Sequence, residues 1–266
     1  MAKGNDGNYL QHSIEVDAAV QLAARDGASR LHVALAHGMA PFESSEQPRN
    51  PPARALLLEA LNQSYGELKQ GEQPIVSAYR HTQATLARYP NSAELLRSAI
   101  GADRSSGGIT EVDPAKYELL ARAWSGSKVM PVNSSWRSEI ESSGTLACPA
   151  GLETPWLVTF DPMTYCEAGY ADDDSLYRAD LERLSILLNP YIITGQPGLA
   201  AVFVYSVRPE VRPQFWQFVD ELAESVAANL ISCWVTHRGG NRNLGGLLCS
   251  GFNYSVLPQG VRVGRE

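Results

Sequence analysis

The chain has 266 residues, 44% of them hydrophobic, with a net charge of −7 and a sequence pI near 5.3. That length suits one α/β domain with an insertion, and the apolar share supports a sizeable core. The acidic balance and the lack of any basic run count against broad electrostatic binding of nucleic acid, while leaving room for a local basic patch. No apolar stretch approaches the about 18–20 residues of a membrane span, and the start of the chain carries no apolar signal core. Cys148, Cys166, Cys233 and Cys249 are scattered without metal-type spacing. They read as four buried thiols of a cytoplasmic protein that holds no metal.

In chain order, the polar loop Lys3-Gly4-Asn5-Asp6-Gly7-Asn8 leads into a helix expected from Tyr9 to Arg25. Leu10, Ile14, Ala18 and Leu22 recur there every four residues, with His12 in the first turn as a surface or capping side chain by default. Leu31 to Ala36 reads as the first strand, followed by His37-Gly38-Met39-Ala40-Pro41. A nucleotide-binding α/β domain is expected to place closely spaced glycines at this junction, and here Gly38 stands alone. Two amphipathic helices, over 53–69 and 73–88, are expected within a helical insertion spanning 43–88. Tyr89-Pro90-Asn91 breaks the pattern and Ser92 opens a short helix. The strand Gly108-Ile109-Thr110 then ends in the acids Glu111 and Asp113, with Pro114 starting a helix to Trp124. A carboxylate at that strand tip can accept from both hydroxyls of a ribose, while Asp113 suits the helix N-cap.

Lys128 to Val132 reads as a third strand, and Asn133-Ser134-Ser135 caps a helix around Trp136 to Ile140. The stretch Trp156-Leu157-Val158-Thr159-Phe160 is a buried strand that runs into Asp161 and Pro162, with Tyr165 beyond. Proline ends the hydrogen-bond ladder, which places the Asp161 carboxylate at the carboxyl end of a strand, where open α/β sheets bind ligands. A helix opening at Asp172-Asp173-Asp174 and running through Leu188, a strand at 199–207, a helix at 212–229 and strands at 230–236 and 247–253 complete the chain. Strand and helix alternate and two strands close the chain, which predicts a doubly wound sheet with an antiparallel end.

Four segments in this order carry a resemblance: Gly4-Asn5-Asp6-Gly7-Asn8-Tyr9-Leu10-Gln11-His12, Tyr89-Pro90-Asn91-Ser92, Thr110-Glu111-Val112-Asp113-Pro114 and Asp161-Pro162-Met163-Thr164. They resemble the bacterial family of class I methyltransferases that modifies an adenine of large-subunit ribosomal RNA at its N6 amine. Asn133-Ser134 falls where that family has an aspartate-glycine contact. The resemblance implies a Rossmann-like methyltransferase fold over residues 1–266: a mostly parallel seven-stranded sheet with an antiparallel end and a helical subdomain at 43–88 after the first strand. It implies S-adenosylmethionine as cofactor, held by His12, Gly38, Ser92, Glu111, Asn133, Ser134 and Asp161, and RNA as the substrate in an rRNA-processing role. Asp161 and Tyr165 would be catalytic, the acid accepting from the target amine and the ring stacking on a flipped base. The chain departs from the family at Ala34, Ala36 and Ala40 after the first strand, at Met163 in place of a second proline, and in the late arrival of the aromatic Tyr165. Two other readings stand beside this one: an inactive methyltransferase-fold binding protein, and a methyltransferase of small molecules.

Overall fold

The computed structural model describes residues 6–24, 30–36, 73–86, 91–142, 144, 146, 154–160, 164–168, 175–193, 199–206, 209–236, 242–250 and 262–264. Helix α1 (Asp6–Ala23) precedes strand β1 (Leu31–Leu35), and α2 (Pro74–Leu86) and α3 (Ser92–Ile100) separate it from β2 (Ser105–Thr110). Then come α4 (Pro114–Ala123), β3 (Val129–Val132), α5 (Trp136–Glu141) and β4 (Trp156–Phe160). Short strands β5 (Thr164–Cys166) and β6 (Ser175–Tyr177) lead to α6 (Asp180–Ile193). The chain closes with β7 (Leu199–Ser206), α7 (Arg212–Ser225), β8 (Asn229–Thr236), β9 (Arg242–Ser250) and β10 (Arg262–Val263).

Among the described residues, one sheet has eight strands in the order β10-β8-β9-β7-β4-β1-β2-β3. From β3 through β2, β1 and β4 to β7 every pairing is parallel, and the pairings of β9 with β7 and β8, and of β10 with β8, are antiparallel. The expected mostly parallel α/β sheet with an antiparallel end is therefore present, with eight strands instead of seven. The added strand is the two-residue β10 at the far edge, too short to leave a periodic signal. At the other edge, Pro131 in β3 withholds an N–H and blunts that border against further pairing.

Side chains alternate across a strand, so each strand feeds two cores. Leu31, Val33, Leu35, Ile109 and Leu157 pack with α1 to α4 on one face; Ala34, Ala36, Trp156, Val158 and Phe160 pack with α5 to α7 on the other. Chain winding turns outward in opposite directions from β1 and β4, which are neighbours. That pair marks the switch point where a doubly wound sheet opens a crevice at its carboxyl edge.

Sequence expectations about two element boundaries and one thiol need correction here. The helix expected from Asp172 begins at Asp180, because residues 175–177 form β6, which pairs in parallel with β5. The last long strand starts at Arg242, where pairing with β8 on one side and β7 on the other extends the ladder into the expected loop. Cys166, expected buried, is a partly exposed thiol. Of the insertion at 43–88, α2 is described and packs Ile75, Val76 and Ala78 into the first core, whereas residues 43–72 lie outside the described residues.

His32 on β1 is 5% exposed, and burial pulls its pKa down to about 4. The folded state thus keeps the imidazole neutral while the unfolded chain takes up a proton below the ordinary value of 6.5. Stability present above that pH is lost as pH falls toward the folded pKa, by about 3 kcal/mol in full. Urea unfolding near neutral pH and at about pH 4.5 is expected to show a smaller acid loss for His32→Leu than for the wild type. Equal acid losses in the two proteins would remove His32 as the acid-sensitive group.

Candidate functional site

The carboxyl ends of the parallel strands are laced together past their last ladder positions. The Ala36 N–H donates to Thr159 O at 3.0 Å and the Glu111 N–H to Val132 O at 3.1 Å. Thr110 Oγ1 donates to Ala36 O at 2.6 Å, tying the end of β1 to the end of β2. Glu111 stands directly beyond β2, and its Oε1 accepts the Asp113 N–H at 2.9 Å. That bond turns the chain so that Asp113 caps α4, its Oδ1 accepting from Ala115 N at 2.9 Å and Lys116 N at 3.3 Å. Asp113 caps the helix as expected, and Glu111 follows the last residue of β2. Glu111 is only 7% exposed.

From the neighbouring strand end, Asn133 Nδ2 donates to Glu111 O at 2.8 Å and to Val112 O at 3.3 Å. Asn133 and Glu111 thus belong to one bonded group, in which the amide holds the backbone that carries the carboxylate. Ser134 follows, and Ser135, whose Oγ accepts the Ser138 N–H at 3.1 Å, is the N-cap of α5. Val112 is a residue that strand-tip reasoning passed over. It is 45% exposed, next in sequence to the buried Glu111.

A second bonded group joins α1 to α3. Gln11 Nε2 donates to Glu15 Oε1 at 3.1 Å and to Ser92 Oγ at 3.3 Å. Ser92 opens α3, and Asn91 before it forms a reciprocal cap with Glu94, through Asn91 Oδ1 at 2.9 Å and Glu94 Oε2 at 3.1 Å. His12, next to Gln11, is 4% exposed, so the surface position taken as its default is corrected. Gln11, Ser13, Glu15 and Asp17 are equally buried, so polar side chains line the inside of the protein along 11–17 of α1.

Gly38 and Asp161 lie outside the described residues. Phe160, the last residue of β4, is buried and meets the Trp136 ring edge-on at 5.4 Å between centroids. Tyr165 is 2% exposed, with its ring against Phe215 and Phe218 at 6.2 and 5.5 Å. Its hydroxyl donates to Glu167 Oε1 at 2.7 Å, and burial followed by that carboxylate pushes the phenol pKa well up. The ring expected to stack on a base is thus packed into the second core, because α7 supplies two phenylalanines at the level of β5. Next to it, Arg178 donates to Glu221, which holds that carboxyl below its ordinary range.

No protein-family model and no curated sequence matches the chain. Among solved structures, it is similar to protein LPL1258 from Legionella pneumophila strain Philadelphia 1, which carries the family-model label DUF519, with a TM-score of 0.61. Identity is 16%, over 95% of this chain and 87% of that one, a likeness of fold alone. Numbering the strands of the main sheet in chain order and leaving out β10, they lie 3-2-1-4-5-7-6, with the seventh antiparallel to its neighbours. The arrangement is a doubly wound, mostly parallel α/β sheet with an antiparallel end. Dnmt2 methyltransferase of S. pombe matches at 12% identity over 57% of this chain and 44% of its own, with a TM-score of 0.36. PH1948 of Pyrococcus horikoshii, described as a candidate RNA methyltransferase, matches at 14% identity over 91% of this chain and 98% of its own, at 0.31. Scores that low add no weight to the assignment.

Among the described residues, no helix is long and apolar enough to cross a membrane, and no group of three or more His, Cys, Asp and Glu side chains is placed to hold a metal ion.

Proposed function

We propose that the chain is an S-adenosylmethionine-dependent methyltransferase that acts on the N6 amine of an adenine in nucleic acid, RNA ahead of DNA. The observation that carries this reading is the bonded group Glu111–Asn133 at adjacent strand ends on the carboxyl edge of this sheet. A carboxylate suits a pair of ribose hydroxyls, so Glu111 has the chemistry to accept from the cofactor's ribose. Glu111, Asn133 and Ser134 would hold it from the β2 and β3 side, with His12, Ser92 and Gly38 completing the site. When bound, S-adenosylmethionine supplies an electrophilic methyl group on a sulfonium. The protein's share is to hold the acceptor nitrogen in line, exclude water and offer Asp161 as acceptor for the amine. The inserted helices at 43–88 would border the acceptor and set its specificity.

Calorimetry with S-adenosylmethionine and its demethylated product tests the cofactor. Glu111→Ala is expected to weaken binding by ~1–3 kcal/mol, the cost of a lost charge-assisted hydrogen bond. Unchanged affinity in a folded variant would take Glu111 out of the site. A second reading, a binding protein that has lost catalysis, draws on β1, where Ala34 and Ala36 are buried in the second core and put no polar group at the strand end. It is separated from the first by labelled methyl transfer to total RNA, total DNA and a metabolite pool. Label in the metabolite pool alone would favour a small-molecule acceptor.

A further inference from the structure

Helices α1 and α3 are tied to each other at two levels. Gln11 Nε2 donates to Ser92 Oγ at 3.3 Å, near the start of both helices. Arg104 Nη2, in the 3₁₀ turn Ala102–Arg104 that joins α3 to β2, donates to Ala23 O at 3.1 Å, where α1 ends. The two helices therefore run side by side in one direction. From Gln11 to Ala23 is about 18 Å at a helical rise of about 1.5 Å per residue. Strand β2 sets off from the same turn, and its Ile109 shares the first core with Leu95, Leu96 and Ile100 of α3, so it runs back alongside that helix. From Ser105 to Glu111 it covers about 20 Å, at about 3.3 Å per residue. Ser92 is thereby brought level with Glu111, at the carboxyl edge of the sheet.

Gln11 is buried, and Glu15 wholly so. The amide nitrogen of Gln11 carries two hydrogens, and both are used: one goes to Glu15 Oε1 at 3.1 Å, the other to Ser92 Oγ. Turning the amide over would set its oxygen against the Glu15 carboxylate, acceptor against acceptor, so Glu15 fixes which way the amide faces. The consequence falls on Ser92. Its oxygen accepts from Gln11, and its own proton, which no described residue accepts, is left to donate elsewhere. Glu111 on the same edge is an acceptor and suits the ribose. A donor suits the strongest acceptor on S-adenosylmethionine, the carboxylate of its amino-acid end. We propose that Gln11 is a positioning residue for the cofactor: locked by Glu15, it sets Ser92 as a donor to that carboxylate. This rests on the methyltransferase reading above and names the end of the cofactor that the α1–α3 pair serves.

The test compares two ligands by calorimetry on the full chain. One is S-adenosylhomocysteine, the demethylated product, which keeps the carboxylate; the other is 5′-methylthioadenosine, which keeps the adenosine and lacks the amino-acid end. The variants are Gln11→Met, Ser92→Ala and the two combined. Should Gln11→Met fail to fold, Gln11→Asn takes its place, since its amide is one methylene too short to span Glu15 and Ser92. The Gln11 variant is expected to bind S-adenosylhomocysteine about 10-fold or more weakly, the order set by losing a hydrogen bond to a charged group. Its affinity for 5′-methylthioadenosine stays within 3-fold of the wild type, and adding Ser92→Ala brings no further loss. Unchanged binding of S-adenosylhomocysteine overturns the proposal. So does an equal weakening of both ligands, which marks a general effect on the fold, and so does a further loss in the double variant, which separates Gln11 from Ser92. A wild type that binds 5′-methylthioadenosine as tightly as S-adenosylhomocysteine also overturns it, while leaving the methyltransferase reading in place. A wild type that binds neither overturns that reading, and the role of Gln11 with it.

Discussion

Gly107→Ala is expected to destabilise the protein by roughly 3–5 kcal/mol, the sum of a strained backbone and an overpacked contact. Gly107 lies in the middle of β2 with φ at +135°, opposite Val33 of β1 and Val129 of β3. A Cβ there would sit 1.9 Å from Val33 O, and that oxygen belongs to a central strand with nowhere to move. The loss is a large part of the about 5–15 kcal/mol by which domains are stable. It would also fall on the β1–β2 pairing that brings Thr110 and Glu111 to the edge. Gly126→Ala gives the contrast: its φ is also positive, at +77°, yet a Cβ there would meet nothing within 4 Å. That variant keeps only the backbone cost, about 1 kcal/mol or a little more. Urea unfolding of both variants measures the difference, and equal midpoints would show that β1 and β2 can spread apart.

The elements legible in the sequence were those whose signal is local. Trp156 to Phe160 was readable as β4 because five consecutive buried positions meet an Asp-Pro stop. Asp113 before Pro114, and the polar run ending at Ser135, announced the caps of α4 and α5. The buried polar stretch of α1 over 11–17 was not legible. Amphipathic reasoning assigns polar residues to solvent, whereas Gln11 donates both to Glu15 on its own helix and to Ser92 on a helix far away in sequence. Strands β5 and β6 are three residues each, too short for a period, and the acidic run at 172–174 imitated a helix start. The real start at Asp180 depends on Arg137, 43 residues away, and no local pattern reports a partner at that distance. Helix α7 was expected to reach residue 229 but ends at Ser225, where Ala227 turns to φ +49° and leads into β8.

The same limit shaped the candidate site. Glu111 could be named because a strand tip is predictable from its strand, Asn133 was named by the resemblance, and the bond between them follows from the adjacency of β2 and β3. Tyr165 was named by its spacing from Asp161, and spacing says nothing of the two phenylalanines that α7 brings to its ring.

Asp161→Asn is expected to lower methyl transfer about 100-fold or more, comparable to removing a preorganised electrostatic contact from a reacting centre. Asp161 follows Phe160, whose ring is held by Trp136 and whose strand lies between β1 and β7 at the switch point of the sheet. In the proposed reaction its carboxylate accepts from the target amine and turns the nitrogen lone pair toward the methyl group. The amide of asparagine keeps the shape, removes the charge and makes half of that position a donor. The amine then loses its orientation, while affinity for S-adenosylmethionine changes by less than the rate, because the side chain serves the acceptor. Wild type and variant are compared by transfer of labelled methyl to total RNA, total DNA and a metabolite pool, with calorimetry on the cofactor alongside. Equal labelling by both would strip Asp161 of its role while leaving the enzyme. A wild type that labels nothing and binds no cofactor at millimolar concentration would leave Asp161 as the turn that ends a buried strand.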